Sequence, residues 1–579
     1  MIKFFYNLLI REEKKSLIII VFCNFFILIS EILSFSFLIP ISKILFESTI
    51  SSDYQFLVFD INIFQYIQFE DKQSLLTIIL KFFFSFQLAK CLFYIIFFYY
   101  EESFLAKLFT RLSSLLFNNY LNVPYSFHTN NNSSLLLRNM TSEFSHLMLG
   151  LKSILSIFTE ILFISSIVFF LLLYSFETTI VAILIFTFCS FLIIFFIRKI
   201  IHTLSTQRLS FEGLHLKVML QGFNSVREII LTKSQSYFTN NFYLITKNIT
   251  NIQKKLSIIK KLPKIVIELF FVLILILAVV FLVNEGSSKE FYIYFSVFIL
   301  ISLRIMPSIN KILNLLTDIK SCVPSIKLLE EQILFTNNEN KIYREQTSNN
   351  SLIYSCNKNI ELKNLSFFYP SNSIKILNNI NLNFSSPNRI AIMGNTGSGK
   401  TTLVNTILGL IKPSEGIILS DDLDINLNCR NWFELISYVP QNILLIDETI
   451  KNNILFGVDH NKINNSLFDK ALEVSQLKTF LENLPLKENT LVGEFGIRIS
   501  GGQRQRIALA KAVYQNKKIL ILDEGTNALD EEIEKKILHD IFKLKSDSVI
   551  ILVTHNLKAA KMCDVIYKLS DGQLKEIKL

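Results

Sequence analysis

Residues 389–411 read RIAIMGNTGSGKTTLVNTILGLI. The apolar run at the start predicts a buried strand, and the run from Thr401 onward predicts a helix. Between them, Gly394 to Thr401 match the pattern GxxxxGK[ST] in the strand–loop–helix setting that this motif requires. Its glycines let backbone N–H groups wrap phosphates at a helix N-terminus. The stretch therefore predicts an α/β domain that binds a phosphorylated ligand.

The residues of this loop have different predicted roles. Lys400 is placed to reach the β- and γ-phosphates of a nucleotide, and the Thr401 hydroxyl can ligate magnesium. The motif alone also occurs by chance, so other motifs along the chain must support it. The predicted nucleotide contacts in the loop are Gly394, Asn395, Thr396, Gly397, Ser398, Gly399, Lys400, Thr401 and Thr402.

A second buried strand, ILILDE at residues 519–524, ends in two carboxylates. Asp523 is the predicted magnesium ligand. Glu524 is the predicted general base that polarises the attacking water. A chain with the aspartate alone would indicate a slow or regulatory site, and this chain keeps both groups. The two strands together favour an α/β P-loop NTPase domain that hydrolyses its nucleotide.

Just before that strand, ISGGQRQRIALAKAV contains the tetrapeptide Ser500-Gly501-Gly502-Gln503. Here the chain resembles the ATP-binding cassette (ABC) proteins, whose signature loop this tetrapeptide matches. The resemblance implies ATP and Mg²⁺ as cofactors and makes these four residues ATP contacts. It also implies that Tyr369 stacks on adenine, that Gln441 ligates magnesium, that Asp530 belongs to the site, and that His555 acts near the γ-phosphate beside the catalytic Glu524.

Two further features of this half bear on function. Thr490 to Gly496 resemble the TxVGExG segment of exporters, which importers generally lack. Departures from the family pattern, with isoleucine at 499, glycine at 525 and asparagine at 527, put the rate in doubt and not the competence of the site. In this family the signature loop closes over ATP held by the opposite domain. One cassette per chain therefore implies a two-fold homodimer.

The other half of the chain has the composition of a membrane domain. The protein is 51% hydrophobic and 18% charged, and nearly uncharged runs fill much of the first 320 residues. The net charge of +10 fits basic cytoplasmic loops, so nucleic acid is excluded as a partner. We expect a transmembrane domain over 1–336, a linker over 337–357 and the cassette over 358–579. Six predicted spans lie near 16–40, 74–99, 151–175, 178–197, 264–284 and 290–313.

Loop charges predict the orientation of these spans. The loop between spans four and five is rich in lysine and arginine, whereas the loop between spans one and two is acidic, so both termini are expected on the cytoplasmic side. The richness of the chain in asparagine, isoleucine, lysine and phenylalanine is typical of an AT-rich bacterial genome and favours a bacterial inner membrane. Segments 121–130 and 230–238 are predicted to form short helices that touch the ATP domain. The amphipathic stretch 54–69 is predicted to lie in the outer interface or to cap the helix ends. The seven scattered cysteines predict neither a zinc site nor a disulfide framework.

Charged residues inside the predicted spans need partners or a polar cavity: Glu31, Lys81, Lys90, Glu160, Glu268 and Arg304. Outside the cassette the chain resembles the lipid-linked-oligosaccharide flippases of the PglK type, through REEKKSLIIIVF at residues 11–22, KLPKIVIE at span five and LRIMPSINKI at span six. That resemblance implies an undecaprenyl-pyrophosphate-linked glycan as substrate and places Lys90, Lys264 and Arg304 at its phosphate contacts. Two of the three are lysines, which lack the bidentate fork of arginine.

Two alternatives remain open from the sequence. A peptide, lipid A-like or drug exporter would need only an apolar, aromatic-rich cavity, with the basic residues paired to Glu160 or Glu268. A non-transport machine or channel regulator is the other, and the complete set of catalytic motifs argues against it. The sequence therefore predicts a six-helix exporter-like transmembrane domain fused to a nucleotide-binding domain, with an amphipathic lipid-linked or peptide substrate.

Overall fold

The computed structural model describes residues 2–37, 41, 57–58, 61–62, 72–174, 176–285, 289–347, 354, 359–369, 375–385 and 388–577. They divide into two compact units. The first comprises Met1–Asn122 and Asn131–Asn338, and the second comprises Val123–Asn130 and Glu339–Leu579. The first unit is almost entirely helical, and the second contains both large sheets.

Long helices dominate the first unit because its sequence consists of extended apolar runs with few glycines. The longest, Lys289–Thr347, has 59 residues, so at a rise of 1.5 Å per residue it is roughly 88 Å long, well beyond the bilayer core of about 30 Å. It also contains Pro307 and Pro324. The long helices are Arg11–Ser36, Lys72–Asn122, Phe144–Tyr174, Phe176–Asn224, Gln235–Glu285 and Lys289–Thr347, with the shorter Ile2–Leu8 and Ser133–Arg138 and a π-helical turn at Asn139–Glu143.

Each of the six predicted spans falls wholly or largely on one of these long helices. Three helical stretches among the described residues are long and apolar enough to cross a membrane: Arg11–Ser36, Leu76–Asn122 and Ser133–Phe169. They contain or overlap the first three predicted spans. The side chains of the last three predicted spans lie mostly outside the described residues. The same holds for most of the predicted interfacial stretch 54–69, where only a two-residue pairing of β1 (Leu57–Val58) with β2 (Ile61–Asn62) is described.

A short helix lies at or near each of the two segments predicted to touch the ATP domain, but one of these helices lies elsewhere than the sequence predicts. Tyr125–Asn130 falls inside the predicted segment 121–130 and belongs to the second unit. The other short helix is Val226–Leu231, not 230–238. It ends at a turn in which Lys233 adopts a positive φ of 53°. A right-handed helix cannot continue through this left-handed conformation. The next long helix begins at Gln235.

The boundary between the two halves of the sequence also differs from its prediction. The last long helix ends at Thr347, so residues 337–347 of the predicted linker are helical. Most of the rest of that linker, 348–353 and 355–357, lies outside the described residues. The described Tyr354 is buried, and its hydroxyl donates to the carbonyl of Asp424. The contact boundary of the units falls between Asn338 and Glu339.

The second unit is built on two sheets. The larger has six strands in the order β12-β11-β5-β10-β9-β8, all parallel except the β11–β12 pair. The smaller is antiparallel in the order β4-β3-β6-β7. The strands are β3 Asn359–Phe367, β4 Leu377–Ser385, β5 Asn388–Gly394, β6 Glu415–Ser420, β7 Leu423–Asp424, β8 Ile436–Val439, β9 Ile519–Asp523, β10 Val549–Val553, β11 Val565–Ser570 and β12 Gln573–Ile577.

The central strands β9 and β10 are buried at every position, which explains their uniformly apolar sequences. Helices cover both faces of this parallel sheet, and their apolar residues form a core with it on each face. They are Lys400–Ile407, Cys429–Phe433, Ile450–Ile454, Asn465–Val474, Lys478–Glu482, Gly501–Gln515, Glu531–Leu544 and Leu557–Ala560. The carboxyl ends of β5, β8, β9 and β10 meet at one edge, where open α/β sheets bind their ligands.

Candidate nucleotide-binding site

The loop after β5 is shaped by glycines. A Cβ on Gly394 would lie 2.6 Å from the carbonyl oxygen of Leu569, so no other residue fits there. Gly397 and Gly399 adopt φ values of 81° and 100°, which L side chains rarely adopt. The Ser398 hydroxyl is buried without a hydrogen-bond partner among the described residues. The tight backbone and the unsatisfied hydroxyl fit a polar ligand such as a phosphate.

Lys400 opens the helix that follows this loop and is 7% exposed. Its ammonium donates to the carbonyl oxygens of Gly394 and Asn395, at 2.7 and 3.0 Å. Burial lowers the pKa of Lys400, and the nearby carboxylates of Glu524 and Asp523 oppose that shift. The lysine is thus held by its own loop, facing the acidic end of β9. Thr401 is exposed beside it, whereas Thr402 is buried.

Asp523 ends β9 and is 2% exposed. The Tyr438 hydroxyl, on the adjacent strand β8, donates to its Oδ2 at 3.3 Å. Burial raises the pKa of Asp523, and the hydrogen bond from Tyr438 and the charge of Lys400 act against that increase. A buried carboxylate with one neutral donor and one nearby ammonium retains acceptor capacity for a metal ion or its bound water.

Glu524 lies at the centre of the site. Its Oε1 is 2.8 Å from Nε2 of His555, and its Oε2 accepts hydrogen bonds from Gln441 at 2.7 Å and from Asn527 at 3.1 Å. Its φ is 51°, an uncommon conformation for a residue other than glycine, which turns the chain sharply after β9. The structure thus brings together three residues that the sequence assigned to one reaction, from loops that follow β8, β9 and β10.

Two buried residues that the motif analysis missed support this arrangement. Gln505 donates to the carbonyl of Glu524 at 3.2 Å and accepts from the backbone N–H of Ala528 at 2.8 Å. Glu534 is 5% exposed and accepts from the Thr526 hydroxyl at 2.6 Å and from the Asn556 side chain at 2.7 Å. Gln505 and Glu534 therefore fix the chain after Glu524 and the chain after His555.

The signature loop caps its own helix. The Ser500 hydroxyl accepts from the backbone N–H of Gln503 at 3.3 Å, and the Gln503 side chain accepts from the N–H of Ser500 at 2.9 Å, which forms a capping box at the start of Gly501–Gln515. A Cβ on Gly502 would lie 3.0 Å from the carbonyl of Ala528. Among the described residues no side-chain hydrogen bond joins this tetrapeptide to the loop after β5.

Among the described residues, the side chains of two other predicted nucleotide contacts, Tyr369 and Asp530, also form no hydrogen bond with that loop. Tyr369 is 41% exposed, and its ring packs edge-on against Phe367 with centroids 5.0 Å apart. Asp530 stands at the N-cap of Glu531–Leu544 without a capping hydrogen bond from its side chain. Their exposure leaves both available to a ligand or to another chain.

Family models match both halves of the sequence. The ABC transporter model matches residues 377–527, and the model of the ABC transporter transmembrane region matches residues 17–305. Together they cover well over half of the chain. The chain belongs to the ABC transporter family. Membership confirms the family predicted from the signature loop and accounts for both units of the fold.

Relatives of this ABC transporter match it over a little more than a third of the chain. A Rickettsia bellii "putative export ATP-binding/permease protein" is 38% identical over 215 residues, 37% of this chain and 37% of the relative. An "ATP-dependent lipid A-core flippase" of Pseudomonas savastanoi is 38% identical over 38% of this chain and 36% of its own length. Human "ATP-binding cassette sub-family B member 5" is 42% identical over 38% of this chain, and the match spans 17% of that protein.

A solved structure of a bacterial Atm1-family ABC exporter with ATP bound superposes with a TM-score of 0.78. The alignment covers 98% of this chain and 94% of that one at 18% sequence identity. At this identity the similarity shows the fold alone. That fold is a type I ABC exporter: a helical transmembrane domain followed by an α/β nucleotide-binding domain, as the sequence predicts.

Two of the three predicted phosphate contacts in the membrane half of this ABC transporter have described ion-pair partners. Lys90 Nζ lies 2.7 Å from Glu31 Oε1, and the two side chains are 6% and 1% exposed. Lys264 Nζ lies 3.6 Å from Glu268 Oε1 on the same, more exposed helix face. Arg304 lies within the helix Lys289–Thr347, but its side chain is outside the described residues. These three residues stay candidates for substrate binding.

Proposed function

We propose that this chain is one half of a homodimeric exporter that hydrolyses ATP to move an amphipathic substrate across the bacterial inner membrane. The observation that carries this proposal is the Glu524 carboxylate, bound by Gln441 and His555 next to the buried Asp523. Such a carboxylate is placed to accept a proton from an attacking water. The exporter fold supplies the membrane-spanning partner that a hydrolytic domain needs to perform transport.

The residues of the site divide the work of ATP hydrolysis. The loop from Gly394 to Thr401 and the Lys400 ammonium bind and orient the phosphates, and Mg²⁺, held through Asp523 and Thr401, would neutralise charge on them. Glu524 orients and deprotonates the water. His555, within hydrogen-bonding distance of Glu524, fixes the direction of that carboxylate and can face the terminal phosphate. Gln441 joins this centre to the loop that follows β8.

The homodimer rests on the geometry of the signature loop. Ser500 and Gln503 form two hydrogen bonds with each other, and the N-terminus of the 15-residue helix that they cap remains exposed. A helix N-terminus with glycines at its first turn is suited to bind the phosphates of a nucleotide held by another copy. Two copies related by a two-fold axis would complete two equivalent sites.

For the substrate we propose an amphipathic lipid or lipid-linked molecule. A polyprenyl-pyrophosphate-linked oligosaccharide is the first candidate, supported by the resemblance around spans one, five and six. Relatives described as lipid A-core flippases lend general support to a lipid. The pairing of Lys90 with Glu31 and of Lys264 with Glu268 favours a second candidate, a peptide, lipid A-like molecule or drug, because a pyrophosphate would have to compete with both carboxylates.

The test uses the purified full chain in lipid nanodiscs, with ATP turnover measured with and without a polyprenyl-pyrophosphate glycan. We expect Glu524→Gln to abolish turnover, and we expect the glycolipid to stimulate wild type but not Arg304→Ala. If Glu524→Gln hydrolyses ATP at the wild-type rate, the hydrolytic role of Glu524 is overturned. Turnover that responds to a peptide or drug and ignores the glycolipid would move the assignment to the second candidate. A monomer by mass photometry under turnover conditions would overturn the homodimer.

A further inference from the structure

A cavity of about 310 Å³ lies inside the helical unit. Four helices surround it: Arg11–Ser36, Lys72–Asn122, Phe144–Tyr174 and Lys289–Thr347. Its volume falls in the range of pockets that hold small ligands, roughly 300–1,000 Å³. The cavity is separate from the nucleotide site and contains none of the three predicted phosphate contacts.

The charges that line this cavity do not balance. Lys311 Nζ lies 2.6 Å from Glu160 Oε1, so these two neutralise each other. Glu101 also lines the cavity, is 8% exposed, and has no hydrogen-bond or ion-pair partner among the described residues. The two lysines near enough to act on its carboxylate are Lys152 and Lys311, and Lys152 is bound to Glu102. An ionised Glu101 therefore leaves one negative charge in excess.

An uncompensated carboxylate is costly at this position. Glu101 lies two residues beyond the predicted span 74–99 and is buried, and buried ionisable groups either pair, face a polar cavity or bind a ligand. Every other carboxylate already named in this region has a cationic partner: Glu31 with Lys90, Glu102 with Lys152, and Glu160 with Lys311. Glu101 differs in that it faces open volume instead, and that volume is large enough to hold the missing cation.

The rest of the cavity wall suits an organic cation. The rings of Tyr94, Phe98 and Phe163 line it, and aromatic faces attract ammonium groups that lie within about 6 Å of the ring centroid. Ser156 and Ser308 add hydroxyls that can accept or donate hydrogen bonds. The Tyr94 hydroxyl is itself fixed by a 2.8 Å hydrogen bond to Glu31 Oε1, which holds this side chain in a defined rotamer.

We propose that this cavity binds the ammonium-bearing head of an amphipathic substrate, with Glu101 as the counter-charge and the aromatic rings as the wall of the site. This inference rests on the proposed exporter function, and it favours the second substrate candidate over the anionic polyprenyl-pyrophosphate glycan. An anionic head group would meet Glu101 and Glu160 against a single lysine that is already paired. The apolar part of such a substrate would contact the ring faces and the side chains of Ile27 and Phe163.

The first experiment compares three probes that share one apolar rod. The probes are diphenylhexatriene with a trimethylammonium group, diphenylhexatriene with a propionate group, and unsubstituted diphenylhexatriene. Each is added to nanodiscs that contain the full chain, and ATP turnover is recorded. In wild type, half-maximal stimulation should need about tenfold less of the ammonium probe than of the propionate probe, the ratio that one charge-assisted contact produces. Glu101→Gln should bring that ratio close to one, and Glu101→Asp should retain it.

Glu102→Gln is the matched control, because Glu102 is the adjacent, exposed carboxylate and is bound to Lys152. It should leave the probe ratio unchanged. An equal ratio in wild type and Glu101→Gln would overturn the inference, since the glutamine mimics a protonated and neutral Glu101. If Glu524→Gln abolishes basal ATP turnover but wild type shows no preference for the ammonium probe, this inference is overturned and the proposed function stands. If wild type shows no ATP turnover that Glu524→Gln abolishes, the proposed function is overturned instead.

A second measurement needs no turnover. The variant Ser156→Cys is treated with a cationic reagent, trimethylammonioethyl methanethiosulfonate, or with an anionic one, sulfonatoethyl methanethiosulfonate. Peptide mass spectrometry follows modification at position 156 separately from the native cysteines. The ratio of the cationic to the anionic rate reports the potential inside the cavity. We expect it to fall by about tenfold in Glu101→Gln and to stay unchanged in Glu102→Gln. An unchanged ratio in Glu101→Gln would show that Glu101 carries no charge there and would overturn the site.

Discussion

The Tyr438 hydroxyl donates a hydrogen bond of 3.3 Å to Oδ2 of Asp523. The two residues lie on the adjacent parallel strands β8 and β9, where Val439 pairs with Leu522. Tyr125, in the short helix Tyr125–Asn130, is close enough to act electrostatically on the same hydroxyl. The carboxylate assigned to magnesium is therefore held by a phenol on the neighbouring strand, near the short helix that the sequence assigns to coupling.

Replacing Tyr438 with phenylalanine should weaken magnesium binding. The hydrogen bond lowers the pKa of Asp523 against the effect of burial, so its loss raises that pKa and favours the protonated carboxyl. We expect the magnesium concentration for half-maximal ATP turnover to rise about tenfold, and the acidic limb of the pH–rate profile to move to higher pH. Tyr567→Phe, on β11, is the control. A magnesium titration that superposes on wild type would contradict the link.

Replacing Glu524 with glutamine should remove the general base and keep the fold. The amide still accepts one hydrogen bond, so the contacts with Gln441 and Asn527 are partly retained. We expect ATP turnover to fall by at least about 100-fold while ATP affinity stays within about threefold of wild type. Glu532→Gln, an exposed carboxylate on the next helix, should change neither quantity. Loss of ATP affinity in parallel with turnover would point to misfolding.

Glu534 tests whether the loops around Glu524 and His555 depend on one buried anchor. It accepts two hydrogen bonds, from Thr526 and Asn556, and Glu534→Gln removes the charge from both contacts and replaces one acceptor oxygen with an NH2 group, so that the Thr526 hydroxyl or the Asn556 amide loses its acceptor. We expect a loss of about 1–3 kcal/mol in the free energy of unfolding and a fall in kcat without a matching rise in KM for ATP. Glu531→Gln, which breaks an exposed ion pair with Lys558, should cost less than about 1 kcal/mol.

The sequence could predict those parts of the site that are contiguous in the chain. Lys400 and Asp523 each stand in a short motif whose spacing sets its own geometry. Tyr438, Gln505 and Glu534 were missed because their roles depend on contacts between separate elements, as with Tyr438 and Asp523, which are 85 residues apart. The sequence of β8, which ends two residues before Gln441, does not show that β9 is its neighbour in the sheet.

The same limit explains the errors and gaps in the helical half. Apolar periodicity predicts that a helix exists, but it does not say which face meets which neighbour. Lys90 and Glu31 could each be recognised as costly inside a span, whereas their pairing depends on the relative rotation of two helices. The short helix at Val226–Leu231 was misplaced because its end depends on the left-handed conformation of Lys233, a residue type with no turn preference.

Lys545 should make the free energy of unfolding rise with pH in the alkaline range. It is 4% exposed, its ammonium donates to the carbonyl of Lys517 and the side chain of Asn516, and burial lowers its pKa to about 8. Between about pH 8 and 10.5 the unfolded chain binds the proton that the folded chain has lost, so stability rises with pH by up to about 1.4 kcal/mol per unit.

The unfolding free energy of wild type should therefore rise relative to that of Lys545→Met as the pH increases across that window. Thermal melts of the full chain in nanodiscs at about pH 8, 9 and 10 measure that change at three points inside the window and define its slope. Lys535→Met, an exposed lysine on the helix Glu531–Leu544, should give no such slope. A difference that stays constant with pH would mean that Lys545 remains charged in the folded protein.

The buried pair of Lys90 and Glu31 separates a structural role from substrate binding. Lys90→Met leaves Glu31 buried without its cation and should cost about 3–5 kcal/mol, whereas adding Glu31→Gln should recover most of that loss, because removing both charges also removes their desolvation cost. Thermal melts of wild type, both single variants and the double variant measure this coupling. ATP turnover with the polyprenyl-pyrophosphate glycan then decides the role of Lys90. A stable double variant that still responds to the glycan would make the lysine structural, and one that folds but ignores the glycan would make Lys90 a phosphate contact that Glu31 holds in place.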